Sequence, residues 1–84
     1  MEFIFNPPSR WDVTLKSGSI LVIRADVFSE VADDFVFYTA VRASVEEREG
    51  HEVVSDFFSD PEEVFIVTAR LPRTEVEGVE GGPV

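Results

Sequence analysis

The stretch that decides the fold lies at residues 11–23 and reads WDVTLKSGSILVI. Its first half alternates apolar and polar residues, which is the period of a half-buried strand. The apolar side chains then share one face: Trp11, Val13 and Leu15. The dipeptide Ser17-Gly18 follows, and its glycine supplies the positive φ that a tight hairpin turn needs. The pattern predicts a strand over residues 11–16, a turn, and a returning strand over residues 19–28.

The returning strand differs from the first because apolar side chains occupy both of its faces. One face holds Leu21, Ile23, Ala25 and Val27, and the other holds Ile20 and Val22. We therefore expect its first half to be buried on both sides or bent, as in a small coiled barrel. Residues 29–34 break the pattern and predict a loop. A short helix over residues 25–32 is the alternative.

Three further strands are predicted downstream from β-branched and aromatic content. They cover residues 35–42, with a possible extension to 45, and then residues 51–57 and 64–70. Residues 46–50 form a charged hairpin tip that ends in glycine. Asp60-Pro61 resembles a cap followed by a first-turn proline, which suggests a single helical turn. Residues 3–5 suggest one more short strand.

These elements predict an all-β fold, a five-stranded antiparallel meander closing into a small barrel, because closure protects the sheet edges. Five strands are typical of SH3-like and Sm-like barrels. An open sheet with one helical turn across it is the alternative. We expect the barrel domain to span residues 1–71. Residues 72–84 contain Gly, Pro and Glu without hydrophobic period, and they predict a disordered acidic tail.

The hairpin at residues 13–23 resembles the opening hairpin of Sm-like barrels, and also that of short bacterial and phage all-β proteins. Sm-like proteins usually have a glycine midway along the second strand, where this chain has Arg24-Ala25. Their RNA-contacting Asn and their late Arg-Gly or Cys-Gly element have no counterpart here. The resemblance therefore implies a barrel and does not imply RNA binding.

Composition narrows the function classes. The chain has 84 residues, no Cys and one His, so a disulfide framework or a thiolate zinc site is excluded. The formal charge of −10 disfavours direct contact with DNA or RNA, since the basic residues are scattered singly. The longest apolar stretches are strand-sized, so we expect a cytoplasmic protein with no membrane span.

Catalytic and metal-binding patterns are weak. The acidic pairs Asp33-Asp34 and Glu62-Glu63 place neighbouring carboxylates on opposite sides of a strand, so we interpret them as solvated loop charge. His51 follows the predicted hairpin tip, where exposure is expected, and no nucleophile has a local signature beside it. We predict neither an enzyme nor a cofactor.

The most informative feature is acidity concentrated in residues 46–63, where eight acids stand against Arg48 alone. The acids are Glu46, Glu47, Glu49, Glu52, Asp56, Asp60, Glu62 and Glu63. Such a stretch is either a solubilising surface that discourages edge pairing or a docking face for a basic partner.

The aromatic residues add a second signal. Adjacent strand residues point to opposite faces, so Tyr38 and one of Phe57 and Phe58 are expected to face outward, with Phe58 the candidate. Together with the acids, they predict a non-enzymatic protein-interaction module, monomeric or weakly homodimeric. The alternative is an acidic decoy that mimics nucleic acid and binds a basic nucleic-acid-binding protein.

Overall fold

The computed structural model describes residues 1–55 and 57–82, and it is built from antiparallel strands. The strands are β1 (Glu2–Phe3), β2 (Ser9–Leu15), β3 (Ile20–Ala25), β4 (Val27–Val31), β5 (Asp34–Arg42), β6 (Val53–Val54), β7 (Glu63–Pro72) and β8 (Val76–Gly81). A single 3₁₀ turn, Arg73–Glu75, joins β7 to β8. The all-β, antiparallel prediction is confirmed.

The strands form two sheets. In the larger sheet β5 is central: β7 and then β6 lie on one side, while β4 and β1 share its other edge. The smaller sheet has the order β3-β2-β8. No closed barrel is found within residues 1–55 and 57–82, so the prediction of a five-stranded barrel is wrong. The predicted strand count was too low for two reasons. The strand predicted over residues 19–28 belongs to two strands, β3 and β4, and the predicted tail contains β8.

The β2–β3 hairpin is confirmed. The Leu15 N–H donates to the Ser19 carbonyl at 2.8 Å, and the Gly18 N–H donates to the Leu15 carbonyl at 2.9 Å. Gly18 has φ +94°, which closes the three-residue loop. Trp11 and Val13 are buried as their alternation predicts.

The chain leaves the smaller sheet for the larger one at Asp26, between β3 and β4. The predicted strand over residues 19–28 is therefore bent. Its burial on both faces is wrong, because Ile20 and Val22 are exposed. The helix alternative over residues 25–32 and the loop over residues 29–34 are also wrong, since β4 pairs with β5 along most of that segment.

The disordered tail is the largest correction. Residues 76–81 form β8, which pairs with β2 and buries Val76 against the core. Gly81 has φ +108°, and a Cβ there would lie 2.4 Å from the Arg10 carbonyl oxygen. Glycine is thus a requirement of close packing at this position, whereas composition alone indicated disorder. Pro83 and Val84 lie outside the described residues.

Two smaller predictions also need correction. The strand expected over residues 51–57 shortens to β6, which pairs with β7, and β5 ends at Arg42 without extending to residue 45. Asp60 does cap a turn, because its Oδ1 accepts the Glu62 N–H at 2.9 Å and its carbonyl accepts the Glu63 N–H at 3.0 Å. That turn does not become helical.

The main core lies between the two sheets and centres on Trp11. Its ring meets Phe28 and Phe37 edge-on, with centroid distances of 4.9 Å and 5.9 Å, and its Nε1–H donates to the Ala25 carbonyl at 2.9 Å. A second cluster joins β5 to β7 and consists of Val41, Ala43, Val64 and Ile66, with Val53 packed against it. Both clusters use the same face of β5, which leaves the opposite face of the larger sheet for other contacts.

Candidate protein-interaction groove

The outer face of the larger sheet carries a row of apolar side chains that the core does not use. Tyr38 pairs with Val27 on one side and with Val67 on the other. Phe65 follows on β7 and pairs with Val54 of β6. Because side chains two residues apart share a face about 7 Å apart, this row forms a continuous apolar strip.

A cavity of about 360 Å³ opens on this strip. Its walls come from four strands and one loop: Val27, Ser29, Tyr38, Val54, Phe57 and Phe65. The Phe65 ring is the floor, with Tyr38 at 6.1 Å and Phe57 at 5.8 Å between ring centroids. The Ser29 hydroxyl donates to the Tyr38 hydroxyl at 3.3 Å, which holds the two polar tips together.

A second cavity of about 330 Å³ adjoins the first and shares Val27 and Phe65 with it. The remaining lining residues come from the N-terminal segment and the β3–β4 junction: Phe5, Pro7, Ser9 and Asp26. We refer to the two cavities together as the aromatic groove. Each is about the size that holds a small ligand or a few side chains.

Asp26 is the polar group at the base of the groove, and it is 7% exposed. Its Oδ2 accepts the Ala40 N–H at 2.6 Å, while its own N–H donates to the Tyr38 carbonyl at 2.8 Å. The next bond along this edge of β5 is donated by Ile4 to the Ala40 carbonyl. The carboxylate therefore fills the gap between β4 and β1 in the hydrogen-bond ladder.

An ion-pair cluster marks one end of the groove. Arg42, on the outer face of β5, donates to Asp60 at 3.0 Å and to Glu63 at 3.1 Å. The bond to Asp60 raises the pKa of Arg42. The pKa of Asp60 is lowered, first by the backbone N–H of Glu62 and then by Arg42. One cation with two carboxylates leaves this end net negative.

A second cluster lies on the same face at the other end. Arg70 donates to Asp34 at 3.4 Å and to Glu52 at 2.6 Å, and the bond to Asp34 raises its pKa. Again one cation faces two acids. The groove is thus lined mainly by apolar side chains, and a net negative cluster lies beyond the lining residues toward each end of β5.

The structure separates the eight acids of residues 46–63 into two groups. Glu52, Asp60 and Glu63 belong to the clusters just described, and Glu47 pairs with the N-terminal ammonium group. That contact, with the Ser44 N–H, lowers the Glu47 pKa to about 2.

The other acids of the segment have no such partners. Within the described residues, Glu46, Glu49 and Glu62 are exposed and make no ion pair. Asp56 lies outside the described residues. The negative charge of residues 46–63 is therefore partly neutralised by Arg42 and Arg70, which lie outside this segment in the sequence.

Of the aromatic candidates, Tyr38 lines the groove and is half-buried. Phe58 packs on Phe65 at 5.0 Å and is also half-buried, whereas Phe57 is 73% exposed. Phe57 is therefore the outward aromatic of this pair, and the choice of Phe58 was wrong. Sequence reasoning missed Val27, Val54, Phe65 and Phe5 as lining residues. Alternation along residues 64–70 could have indicated Phe65, but nothing local placed Phe5 beside it.

The remaining polar candidates stay apart. His51 is exposed and Asp33 lies in the β4–β5 turn, while Asp34 is held by Arg70. Within residues 1–55 and 57–82, no three His, Cys, Asp or Glu side chains come together as metal ligands would. In the same part of the chain, no helix has the length and apolar character that a membrane crossing requires.

Comparison with known proteins gives no relative. No family model matches the chain, and the searches of curated proteins and of solved structures each found no match. The resemblance of residues 13–23 to Sm-like barrels accordingly stays a prediction.

Proposed function

We propose that the protein is a non-enzymatic interaction module whose aromatic groove binds an apolar segment of a partner protein with basic residues at its ends. The observation that carries the proposal is Phe57, which is 73% exposed at the mouth of an apolar cavity. An exposed aromatic beside a preformed apolar pocket is typical of protein-binding surfaces.

Charge defines the chemistry of the partner segment. The Arg42 and Arg70 clusters each hold one excess carboxylate, at opposite ends of the groove. A segment with an apolar centre and a basic residue on each side would satisfy both ends. The whole-chain charge of −10 favours the same partner through long-range attraction.

A pair of short peptides tests this match. Capped Arg-Phe-Leu-Phe-Arg and capped Glu-Phe-Leu-Phe-Glu have the same apolar centre and opposite charges. In an NMR titration, we expect the basic peptide to shift the signals of Val27, Tyr38, Val54 and Phe65, and the acidic peptide to leave them unchanged. Equal shifts from both peptides would remove the charge argument, and no groove shifts from the basic peptide would count against the proposal.

A matched pair of variants localises the binding. Phe57→Ser removes an exposed aromatic inside the groove, and Phe3→Ser removes one outside it, where the side chain is 53% exposed. Both positions are on the surface, so both variants should fold. We expect Phe57→Ser to weaken binding of the basic peptide roughly tenfold, which is about 1.4 kcal/mol, and Phe3→Ser to leave it unchanged.

The same titration separates the decoy alternative, for which Glu46, Glu49 and Glu62 are the exposed acids of residues 46–63 without an ion pair among the described residues. A decoy would lose affinity steeply with salt, and it would lose affinity in the double variant Glu46→Gln/Glu49→Gln. Binding in the groove should respond to Phe57→Ser and only weakly to that double variant. The reverse pattern would favour the decoy.

A further inference from the structure

A second surface, independent of the groove, lies on β3 at the edge of the smaller sheet. Three consecutive apolar side chains are exposed there: Ile20 at 62%, Leu21 at 38% and Val22 at 52%. Proteins usually guard a free sheet edge by keeping it short, or with charges, prolines or bulges, because an unguarded edge pairs with another strand.

The other edge strands within the described residues are very short or carry acids or irregularities, whereas β3 carries a single charge, Arg24, near its end. β1 and β6 have two residues each, and β4 includes Glu30. β8 has a register shift near its start, the positive-φ Gly81 near its end, and two glutamates. β3 reads ILVIRA over six residues, without acid, proline or glycine.

The backbone of β3 is suited to pairing. The Leu15–Ser19 hydrogen bond closes the hairpin, and hydrogen-bonded pairs alternate from there along an antiparallel ladder. Leu21, Ile23 and Ala25 consequently direct their N–H and C=O groups toward β2. The corresponding groups of Ile20, Val22 and Arg24 point away from the sheet, where a further strand would lie.

For two copies of this chain, the electrostatic repulsion is smaller when they meet through the β3 edge than when they meet through a more acidic surface. Two molecules of charge −10 repel each other, and a contact between them is least unfavourable where acids are absent. Residues 13–25 are the longest acid-free stretch of the sequence, and they contain Lys16 and Arg24. β3 and the turn before it therefore present no carboxylate to a second copy, and the acid opposite Val22 is Asp12 of β2.

We propose that two copies pair antiparallel through β3, with Val22 of one copy opposite Val22 of the other. In this register the outward-pointing backbone groups of Ile20, Val22 and Arg24 all join the new hydrogen-bond ladder. Ile20 then lies opposite the other copy's Arg24. It also keeps the two Arg24 side chains apart. The smaller sheets merge into one six-stranded sheet with twofold symmetry, which closes the assembly at a dimer.

Sedimentation velocity on the full chain tests the dimer, with concentrations up to about 1 mM to capture a weak complex. Val22→Lys sets two lysines side by side on the twofold axis, so we expect the dimer dissociation constant to rise at least about tenfold. In the monomer the new lysine faces Asp12, which should preserve folding. Val45→Lys is the control, because it makes the same charge change at a 75% exposed valine outside β3.

Charge-swap rescue checks the register. Val22→Glu alone should also be monomeric, whereas an equal mixture of the Lys and Glu variants should give a heterodimer by native mass spectrometry. Added salt should strengthen the wild-type dimer, because it screens the repulsion between two acidic molecules.

Hydrogen exchange gives a readout that a folding defect cannot imitate. On dimerisation, the amides of Ile20, Val22 and Arg24 should gain protection, while those of Leu21 and Ile23 are protected already. A wild-type monomer at about 1 mM, a dimer that survives Val22→Lys, or assemblies larger than a dimer would each overturn the proposal. The last result would indicate head-to-tail pairing of β3 with β8.

Discussion

The outer faces of the two sheets arrange charge in opposite ways. On the larger sheet, Arg42 and Arg70 each hold two carboxylates. On the smaller sheet like charges stand opposite each other, with Arg10 facing Arg24 on one side of β2 and Asp12 facing Glu80 on the other. Among the described residues, the Arg10–Asp12 contact along β2 is the one ion pair that relieves this repulsion.

The difference indicates that the two faces have different uses. Paired charges hold long side chains in place at the ends of the aromatic groove, as a preformed binding surface requires. The smaller sheet sorts its charges instead, with the basic pair on the β3 side and the acidic pair on the β8 side. This separation of charge leaves β3 without acidic residues. The two proposed binding sites therefore lie on two separate surfaces.

The largest expected effect comes from the core that supports both faces. Trp11→Ala removes the ring that packs on Phe28 and Phe37, so we expect a loss of about 3–5 kcal/mol in the free energy of unfolding. Denaturant titration followed by circular dichroism measures it. Trp11→Phe keeps an aromatic ring and should cost clearly less. A loss below about 1 kcal/mol in Trp11→Ala would contradict a core shared by the two sheets.

Asp26 lies where the chain crosses between the sheets. Asp26→Ala leaves the fully buried Ala40 N–H without an acceptor, and we expect a cost of about 1–3 kcal/mol. Asp26→Asn keeps a side-chain oxygen and should recover much of that loss. If the two variants were equally unstable, the carboxylate charge, and not the hydrogen bond, would be the stabilising feature.

Two glycines of β8 offer a test confined to the smaller sheet. Gly81→Ala places a Cβ 2.4 Å from the Arg10 carbonyl oxygen at φ +108°, so we expect a loss of about 1–2 kcal/mol. Gly78→Ala meets no atom within 4 Å and should be close to neutral. Equal thermal midpoints for the two variants would argue that β8 is not paired with β2 as described.

The like-charge pairs predict small gains. Glu80→Lys would face Asp12, and Arg24→Glu would face Arg10, so each should stabilise the fold by about 0.2–1 kcal/mol at low salt. The gain should shrink as salt is added. Glu77→Lys is the control, because it makes the same charge change on β8 at an exposed position outside the Asp12–Glu80 pair.

The sequence predicted those parts of the fold whose signal is local. The β2–β3 hairpin combines period-two alternation with a turn glycine, and residues 64–70 are rich in β-branched side chains, so each was recognised. β8 was missed because Gly81 is required by the close approach of Arg10 on the neighbouring β2, a contact that local composition does not reveal. The sequence did not locate the bend at Asp26. The gap in the hydrogen-bond ladder of β5 that Asp26 fills lies between β4 and β1, which are distant in sequence.

The candidate site was less predictable for the same reason. Alternation indicated that Tyr38 faces outward, and adjacency indicated one of Phe57 and Phe58. The arginines that neutralise Glu52, Asp60 and Glu63 are brought close by strand register, so the acidity of residues 46–63 looked more continuous in sequence than it is in the fold.

The Arg42 cluster gives the smallest expected effect, one that depends on pH. Asp60 has a folded-state pKa below its ordinary value, because it accepts the Glu62 N–H and faces Arg42. A lowered carboxyl pKa stabilises the fold at pH values above the unfolded-state pKa of about 3.9, and this contribution is lost as the pH falls toward the folded-state pKa.

Asp60→Asn should therefore lower the thermal midpoint slightly at pH 7. The difference from wild type should shrink as the pH falls below about 3.9 and disappear below the folded-state pKa of Asp60, where the wild-type carboxyl is protonated. The surface location keeps the effect small, and added salt should reduce it further. If the difference persisted unchanged at the most acidic pH at which the protein stays folded, the effect of Asp60→Asn would come from the turn and not from the ion pair.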